Sequence, residues 1–395
     1  MTGPRLFIIA GEPSGDLLGA ALLAGLRELR GDALSVEGIG GPAMAAEGLA
    51  SRFPMDELSV MGLAEILPRL PRLLARIRET AEAVVAMRPE ALITIDSPDF
   101  SLRVARAARR RLPDLRTIHY VAPSVWAWRP GRAARMAKVI DHVLALLPFE
   151  PPYMQAAGMT CDFVGHPAAA VPRATAAEIA DLRRDLGIGA RPLLLLLPGS
   201  RQGEVRRLAP VFADVLARLR AGRPDLAALV PAAAPVAGLV RELMPPDAQG
   251  QPLILDPSAG TARKHAAFAA ADAALAASGT VSLELAAQGA PMVIAYDANP
   301  LSVAIARRLL RIDTATLVNL VTDTRIVPEF IFENCRADRI APAVARLLDD
   351  PAAAAAQRAA DDEAMRLLGR GGEPPGLRAA RSVLGTVESR FMENY

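Results

Sequence analysis

Aromatic residues and cysteines are scarce in this chain. Aromatic side chains make up 4% of its 395 residues and hydrophobic residues 52%, so the cores must be built mainly from aliphatic side chains. Two cysteines, Cys161 and Cys335, exclude a disulfide scaffold and, without paired ligand spacings, indicate a reducing cytoplasm and no metal site. Neither sign of charge dominates, since 45 Lys and Arg residues oppose 43 Asp and Glu residues. This balance argues against a nucleic-acid partner.

Long apolar runs are also absent. The run near the N-terminus, RLFIIA from Arg5, is too short for a signal peptide. The longest uncharged stretch, LAALVPAAAPVAGLV from Leu226, contains two prolines and falls short of the roughly twenty residues that a spanning helix needs. We therefore expect a soluble or peripheral protein rather than an integral one.

Short apolar runs alternate with amphipathic segments along most of the chain. Buried parallel strands separated by helices give this pattern, and it occurs twice, which predicts an α/β protein with two doubly wound, Rossmann-like domains. The first series of predicted strands begins at Arg5, Ala91, Leu115 and His142. The second series begins at Pro192, Leu226, Pro252, Ala273 and Pro291.

The domain boundaries follow from proline and from small residues. The segment 165–174 combines both, so we place the linker there and expect domains at 1–167 and 168–349. Residues 350–395 are helical in composition apart from the break GRGGEPPG. We expect this C-terminal segment to pack on the first domain or to be exchanged with a partner chain.

Two loops of the first half carry candidate catalytic groups. GEPSGD, from Gly11, follows the first strand, and its carboxylates Glu12 and Asp16 beside a helix start suggest contacts to hydroxyls or sugars. Ser14 can cap the helix, and we expect Ser14 and Asp16 to line the acceptor site. An ordinary strand-to-helix turn would also explain the glycine and the serine.

Asp96 ends a strand, where a carboxylate can act as a general base. Because Asp99 is the better cap for the next helix, Asp96 is left for chemistry.

The second half repeats this design in two loops. PGSR, at 198–201, follows an apolar strand, so Gly199 lets the backbone approach a ligand and Arg201 offers a fork of donors to phosphate oxygens. SGT, at 278–280, opens a helix whose N–H groups favour a diphosphate. Glu284 follows one turn later, within reach of a ribose.

Two further segments stand out. Both tryptophans of the chain, Trp126 and Trp128, lie after a predicted strand, and we expect them to line the acceptor site; core packing is the alternative. A predicted helix at residues 65–79 has an apolar stripe beside a basic one, typical of an interfacial helix at anionic lipid, although a core-packed helix with a basic edge explains it equally well. Its predicted membrane contacts are Ile66, Arg69, Leu70, Arg72, Leu73 and Arg76.

Taken in order, the motifs GEPSGD, DSPDF, HYVAPSVWAWRPGR, LPFE, FVGHP, LPGSR and SGTVSLE resemble those of the lipid-A-disaccharide synthases. The resemblance runs from about Leu6 to past Asn319, and the tryptophan motif together with LPGSR is its most specific part. It implies a GT-B glycosyltransferase whose two domains face a central cleft. The chain departs from the family at Val318, where proline is frequent, and at Pro13, where threonine also occurs.

The resemblance implies substrates and roles. By this resemblance the donor would be UDP-2,3-diacylglucosamine and the acceptor 2,3-diacylglucosamine 1-phosphate (lipid X). The enzyme would use no cofactor. The acceptor would bind the first domain, with Asp96 as base and Glu12 important for activity. The second domain would bind UDP through Gly199, Ser200, Arg201, Ser278, Gly279, Thr280, Glu284 and Asn319. The protein would be cytoplasmic, attached peripherally to the inner membrane, and a homodimer is an open expectation.

Three other functions compete with this one. Another GT-B enzyme, such as the N-acetylglucosaminyltransferase of peptidoglycan precursors or a UDP-sugar epimerase, would share the donor half. A peripheral membrane scaffold would use only the basic helix. A nicotinamide-dependent dehydrogenase is disfavoured, because neither first strand-to-helix turn has the glycine pattern of dinucleotide-binding proteins.

Overall fold

The computed structural model describes residues 3–58, 63–246, 250–299, 303 and 308–393, and for residues 32, 63–69 and 389–393 it describes only the backbone. The chain forms two compact units, one from residues 1–170 and 371–395, the other from residues 171–370. The boundaries thus differ from those expected at 167/168 and 349/350. The last two helices fall in different units, so residues 350–395 are not a single segment.

The first unit contains six strands and eight helices among its described residues. Its strands are β1 (Arg5–Ala10), β2 (Ser35–Ile39), β3 (Ala91–Ile95), β4 (Arg116–Tyr120), β5 (His142–Ala145) and β6 (Thr160–Phe163). Its helices, numbered along the whole chain, are α1 (Pro13–Arg30), α2 (Pro42–Ala46), α3 (Leu63–Met87), α4 (Pro98–Arg109), α5 (Gly131–Met136), α6 (Pro151–Gln155), α7 (Pro167–Ala170) and α16 (Pro375–Glu393).

The six strands form one sheet with the order β2-β1-β3-β4-β5-β6. All neighbouring strands run parallel, with Ile8 opposite Gly38 on one side and Ile93 on the other. The strand order reverses between β1 and β3. At such a switch point the loops that follow the two strands diverge and leave a crevice at their carboxyl ends, where ligands bind in doubly wound folds.

Each face of this sheet is covered by helices. One apolar cluster includes Phe7 and Phe100, and the other, which includes Leu22, joins the sheet to the C-terminal helix α16 through Val383. Helix α16 lies on α1 at a close crossing: a Cβ at Gly376 would lie 2.4 Å from the carbonyl oxygen of Ala21. Glycine is therefore required where the two helix backbones meet.

The second unit repeats the architecture. Its strands are β7 (Leu193–Leu197), β8 (Ala227–Pro231), β9 (Leu253–Leu255), β10 (Ala273–Ala277), β11 (Met292–Tyr296) and β12 (Glu329–Ile331). Its described helices are α8 (Ala176–Asp185), α9 (Gln202–Gly222), α10 (Ala237–Leu243), α11 (Gly260–Ala269), α12 (Val281–Gln288), α13 (Leu317–Thr322), α14 (Ala337–Asp349) and α15 (Pro351–Leu367).

These strands form a second parallel sheet with the order β12-β11-β10-β7-β8-β9. The five leucines of β7 are buried on both faces, as expected for a central parallel strand. Here the order reverses between β7 and β10, which places the crevice between PGSR at 198–201 and SGT at 278–280. Within the described part of the chain, no helix is both long and apolar enough to cross a bilayer.

Candidate active site

Asp96 lies directly after β3, at the switch point of the first sheet. It and Ser97 both adopt left-handed backbone conformations, with φ of 55° and 43°. The Asp96 N–H donates to the carbonyl oxygen of Tyr120 at 3.1 Å, and the Asp96 carbonyl accepts from the Ser101 hydroxyl at 3.0 Å. Two successive non-glycine residues in this region are strained, and strain of this kind concentrates at functional sites.

The carboxylate of Asp96 is partly withdrawn from water. Burial raises its pKa, while hydrogen bonds from the Ser97 N–H and the Ser14 hydroxyl act in the opposite direction. A carboxylate with a raised pKa is a stronger proton acceptor than a solvated one, provided that it is ionised. Its position and its basicity both suit a general base.

The loop after β1 meets this turn. A Cβ at Gly11 would lie 2.5 Å from the Ser97 hydroxyl oxygen, so only glycine allows the approach. Glu12 follows in an extended conformation, half-buried, and occupies the cap position of α1, so the cap predicted at Ser14 was wrong. Glu12 and Asp96 thus leave neighbouring strands at one edge of the sheet.

The cap assignment for Asp99 was wrong, because α4 begins at Pro98 and Ser97 occupies the cap position without a side-chain bond.

Asp16 does not line an acceptor site. Its side chain is buried, at 4% exposure, and its two oxygens accept hydrogen bonds from the backbone N–H groups of Gly41, Ala43 and Met44 at 2.8–3.0 Å. These N–H groups belong to the start of α2, so the carboxylate satisfies donors that the helix cannot pair internally. The prediction for Asp16 is therefore corrected to a structural role.

The two tryptophans have different environments. Trp126 is held inside its loop: its indole N–H donates to Glu150 at 3.2 Å, and its ring meets that of Phe149 edge to face at 5.2 Å. Glu150 is buried, which raises its pKa to about 7 although Leu147 and Trp126 donate to it. Trp126 thus anchors the loop, whereas Trp128 faces a cavity.

This cavity has a volume of about 490 Å³. We call it the arginine cavity, after the side chains that line it with Trp128: Arg103, Arg106, Arg129, Arg132 and Arg135. The guanidinium of Arg129 stacks on the Trp128 ring, 4.3 Å from its centroid. The sequence did not reveal the cavity, because these arginines come from α4, from α5 and from the loop between β4 and α5.

The second unit has a cavity of about 410 Å³ at its own switch point. We call it the donor cavity. It brings together seven of the eight residues predicted on the donor side: Gly199, Ser200, Arg201, Ser278, Gly279, Thr280 and Glu284. Gly199 has a φ of 113°, and a Cβ there would lie 2.7 Å from a carboxylate oxygen of Glu204. The turn after β7 therefore requires glycine.

A lysine that the sequence did not single out completes the donor cavity. Lys264, in α11, lines the cavity and forms an ion pair with Glu284. Arg201 lies 3.6 Å from Glu204, with its side chain largely exposed to the opening. Lys264 comes from the helix before β10, not from a loop at a strand end. No local pattern therefore marked it.

Asn319 is the predicted donor residue that does not line the cavity. It is 1% exposed, its amide group donates to Thr314 and to the Val327 carbonyl, and its amide oxygen accepts from the Val327 N–H at 3.0 Å. Asn319 holds in place the segment that contains Ala315. This segment contacts the donor cavity through Ser278, whose hydroxyl donates to the Ala315 carbonyl at 3.4 Å. Asn319 is therefore a positioning residue.

The basic stripe of α3 is partly engaged in ion pairs within its own unit. Arg72 and Arg76 both form ion pairs with Glu57 at 2.8 Å, and Arg76 also pairs with Glu79. Leu73 packs against the core, whereas Leu74 is 48% exposed. Leu70 is partly buried, and the side chains of Ile66 and Arg69 lie outside the described residues. The predicted contacts of Leu73 and Arg76 are corrected accordingly, whereas Arg72 is 68% exposed and its contact stays a prediction.

Comparisons with known proteins agree with this architecture. A model of the family described as lipid-A-disaccharide synthetase matches residues 6–372. The lipid-A-disaccharide synthase of Ruegeria pomeroyi is 60% identical, over 96% of this chain and 94% of that protein. The enzyme of Rhodospirillum centenum is 48% identical, over 98% and 96%.

Solved structures are similar in fold at low sequence identity. The Staphylococcus aureus MnaA–UDP structure gives a TM-score of 0.63 at 12% identity, covering 98% of this chain and 97% of that one. The UDP-GlcNAc 2-epimerase of Neisseria meningitidis, bound to UDP-GlcNAc, gives 0.59 at 11%, covering 98% and 99%. Both support the expected GT-B arrangement of two parallel-sheet units.

Proposed function

The chain belongs to the lipid-A-disaccharide synthase family, and we propose that it joins UDP-2,3-diacylglucosamine to 2,3-diacylglucosamine 1-phosphate. It is a hexosyltransferase of lipid A biosynthesis. The products of the proposed reaction are the β-1,6-linked disaccharide 1-phosphate and UDP. A peptidoglycan-precursor transferase is not favoured, since the relatives at 45–60% identity are all named lipid-A-disaccharide synthase.

In this proposal the donor cavity holds the UDP moiety. Helix α12 begins at Val281, so the positive end of its dipole faces the diphosphate beside Ser278 and Thr280. Arg201 adds a guanidinium that can pair with two phosphate oxygens. Both groups stabilise the negative charge that grows on UDP as it leaves. Glu284 is the proposed partner of the ribose hydroxyls.

The first unit supplies the base. Asp96 accepts the proton of the acceptor 6-hydroxyl as its oxygen attacks the anomeric carbon of the donor, and the bond from that carbon to UDP breaks. A single direct displacement inverts the anomeric configuration. Ser14, which hydrogen-bonds to Asp96, orients the carboxylate. Glu12, on the adjacent strand end, is proposed to contact the acceptor.

One observation carries this assignment: the predicted base and the predicted nucleotide residues each lie at the switch point of a sheet. The test is UDP release from the two purified lipid substrates. Asp96→Asn is expected to lower kcat by about 10²–10⁴-fold while the Kd for UDP stays unchanged.

Asp114→Asn is the matched control for this test. It removes an exposed carboxylate from the loop before β4, at the opposite edge of the same sheet, and should behave like the wild type. An Asp96→Asn enzyme that stays active would show that another residue is the base. A wild-type protein that releases no UDP would refute the proposed reaction.

Both proposed substrates carry acyl chains, so the enzyme must meet them at a membrane surface. We propose a cytoplasmic location with peripheral contact to the inner membrane and its anionic lipids. The exposed side chain of Leu74 supports such a contact, whereas the paired arginines of α3 do not. Sedimentation with phosphatidylglycerol vesicles tests it: retention by vesicles supports the contact, and a protein that stays in the supernatant contradicts it. The homodimer remains a prediction.

A further inference from the structure

The arginine cavity concentrates positive charge beside the proposed base. Arg103 and Arg106 project from successive turns of α4, and Arg132 and Arg135 are spaced in the same way on α5. Residues three apart in a helix lie on the same face, so each helix directs a pair of guanidinium groups to one cavity. Arg129 adds a fifth group from the rim. Such convergence from three chain segments is more specific than a basic run along one helix.

Several arginines elsewhere in the unit have carboxylate partners, and the arginines of this cavity differ from them. Within the part of the chain that the structure describes, none of the five forms an ion pair. By contrast, Arg109, on the same helix, pairs with Asp141 at 3.0 Å. Among the described residues that line the cavity, Asp99 is the single carboxylate. Five guanidinium groups around one carboxylate repel one another, and an anion bound among them relieves that repulsion.

The position of the cavity links it to the reaction. Helix α4 begins two residues after Asp96, so the same turn that carries the base also opens the cavity at Pro98 and Asp99. Trp128 follows β4, the strand next to β3. An acceptor whose hydroxyl reaches Asp96 therefore has its other polar group within range of these arginines.

We infer that the arginine cavity binds the phosphate monoester of the acceptor sugar. The inference rests on the proposed function, which gives the acceptor a 1-phosphate on C1 and its reacting hydroxyl on C6, attached to C5, so that both groups flank the ring oxygen. A phosphate monoester is close to a dianion at neutral pH, and the planar guanidinium fork matches its oxygens. Trp128 contributes a flat apolar surface to the same cavity, against which a sugar ring can pack.

The test is the double variant Arg103→Gln/Arg132→Gln, which removes one guanidinium from each helix. The KM for the phosphorylated acceptor should rise by about tenfold or more, since a hydrogen bond to a charged group is worth at least that factor. The KM for the UDP donor should change by less than about threefold, since the donor does not contact these residues. With an acceptor analogue that lacks the phosphate, wild type and variant should be equally poor.

The control is Arg110→Gln/Arg111→Gln, an equal change of charge on two exposed residues at the end of α4, outside the cavity. It should retain the wild-type KM. The variant Arg103→Lys/Arg132→Lys keeps the charge but not the fork and should fall in between. Two measurements check that the Gln variant folds. Its thermal transition should be unchanged, and its affinity for UDP, which is proposed to bind the other unit, should match the wild type.

Two results would overturn the inference. The first is an unchanged KM for the phosphorylated acceptor, or an equal loss with the analogue that lacks the phosphate. The second is a variant that keeps its KM in detergent micelles but no longer sediments with phosphatidylglycerol vesicles, which would assign the cavity to lipid headgroups. A wild-type enzyme without turnover would instead refute the proposed function, so the two failures are distinguishable.

Discussion

The hydroxyl group of Ser14 hydrogen-bonds to the carboxylate of Asp96, and this contact ties the first turn of α1 to the end of β3. The bond favours the ionised carboxylate, whereas burial, the larger effect, favours the protonated one. Ser14 therefore moderates the basicity of the proposed catalytic group.

Replacing Ser14 by alanine should raise the pKa of Asp96 further, because one of the bonds that stabilise the ionised form is lost. The base is active only when ionised, so the acidic limb of the kcat/KM profile should move to higher pH. On the alkaline plateau the activity should fall by less than about tenfold. The measurement is kcat/KM from about pH 5 to pH 9.

Ser14→Thr retains the hydroxyl and serves as the matched control, with its acidic limb where the wild type has it. An alanine variant whose limb stays in place or moves to lower pH would show that the hydroxyl has no influence on the base.

Lys264 is expected to matter for nucleotide binding, although it lies in a helix between strands. Lys264→Met removes a cation from the donor cavity and leaves the half-buried Glu284 carboxylate without its partner, close to the diphosphate. The Kd for UDP should therefore rise by about tenfold. Isothermal calorimetry with UDP measures this directly.

Arg263→Met is the comparison for this variant. Arg263 precedes Lys264 and pairs with Asp185 instead of lining the cavity, so its loss should leave UDP affinity unchanged. An equal loss of UDP affinity in both variants would indicate a general effect of charge. An unchanged UDP affinity in Lys264→Met would show that the lysine does not contribute to nucleotide binding.

The contrast between Lys264 and Arg201 shows how far the sequence alone predicts the site. Arg201 follows an apolar strand directly, and the parallel sheet places all such residues at one edge, so strand pattern and loop composition were enough. Lys264 and four of the five arginines of the arginine cavity reach their cavities from helix surfaces. Helix periodicity predicts that these residues are exposed but not which of them converge.

The same logic explains the fold. All nine predicted strands are present, and the three that the sequence analysis missed, β2, β6 and β12, lie at sheet edges. Edge strands are partly exposed and carry polar residues, as in SVEGI of β2, so they lack a continuous apolar run. The pairing of Arg76 on α3 was not predicted for a related reason: its acidic partner Glu57 lies outside the helix.

Asn319 is expected to act through stability more than through contact with UDP. Asn319→Ala would leave the N–H and carbonyl groups of Val327 unpaired in a buried position. The free energy of unfolding of the second unit should fall by about 2–4 kcal/mol, and the Kd for UDP should rise only modestly, through the displaced Ser278. Urea unfolding and UDP titration measure the two effects.

For comparison, Asn334→Ala changes an exposed asparagine in the same unit and should alter stability by less than about 0.5 kcal/mol. If Asn319→Ala kept full stability but lost UDP binding, Asn319 would contact the donor directly, as the sequence predicted.

Asp361, in α15, is a buried carboxyl group without a function in this reaction. It is 0% exposed, and neither of its oxygens has a hydrogen-bond partner among the described residues. Burial, with a smaller contribution from Asp362, raises its pKa to about 8, so it is largely protonated in the folded protein at neutral pH. In the unfolded chain its pKa returns to about 3.8.

A folded pKa above the unfolded one means that the folded state binds the proton more tightly. The stability from Asp361 is therefore complete below about pH 4 and is lost as the pH rises towards 8. Asp361→Asn, neutral at every pH, should remove this loss, so that its advantage over the wild type in free energy of unfolding grows between pH 4 and pH 8. Urea unfolding across this range tests it. Asp181→Asn, which removes an exposed carboxylate from α8, should show no such growth, and a constant difference between Asp361→Asn and the wild type would mean that Asp361 ionises normally in the folded protein.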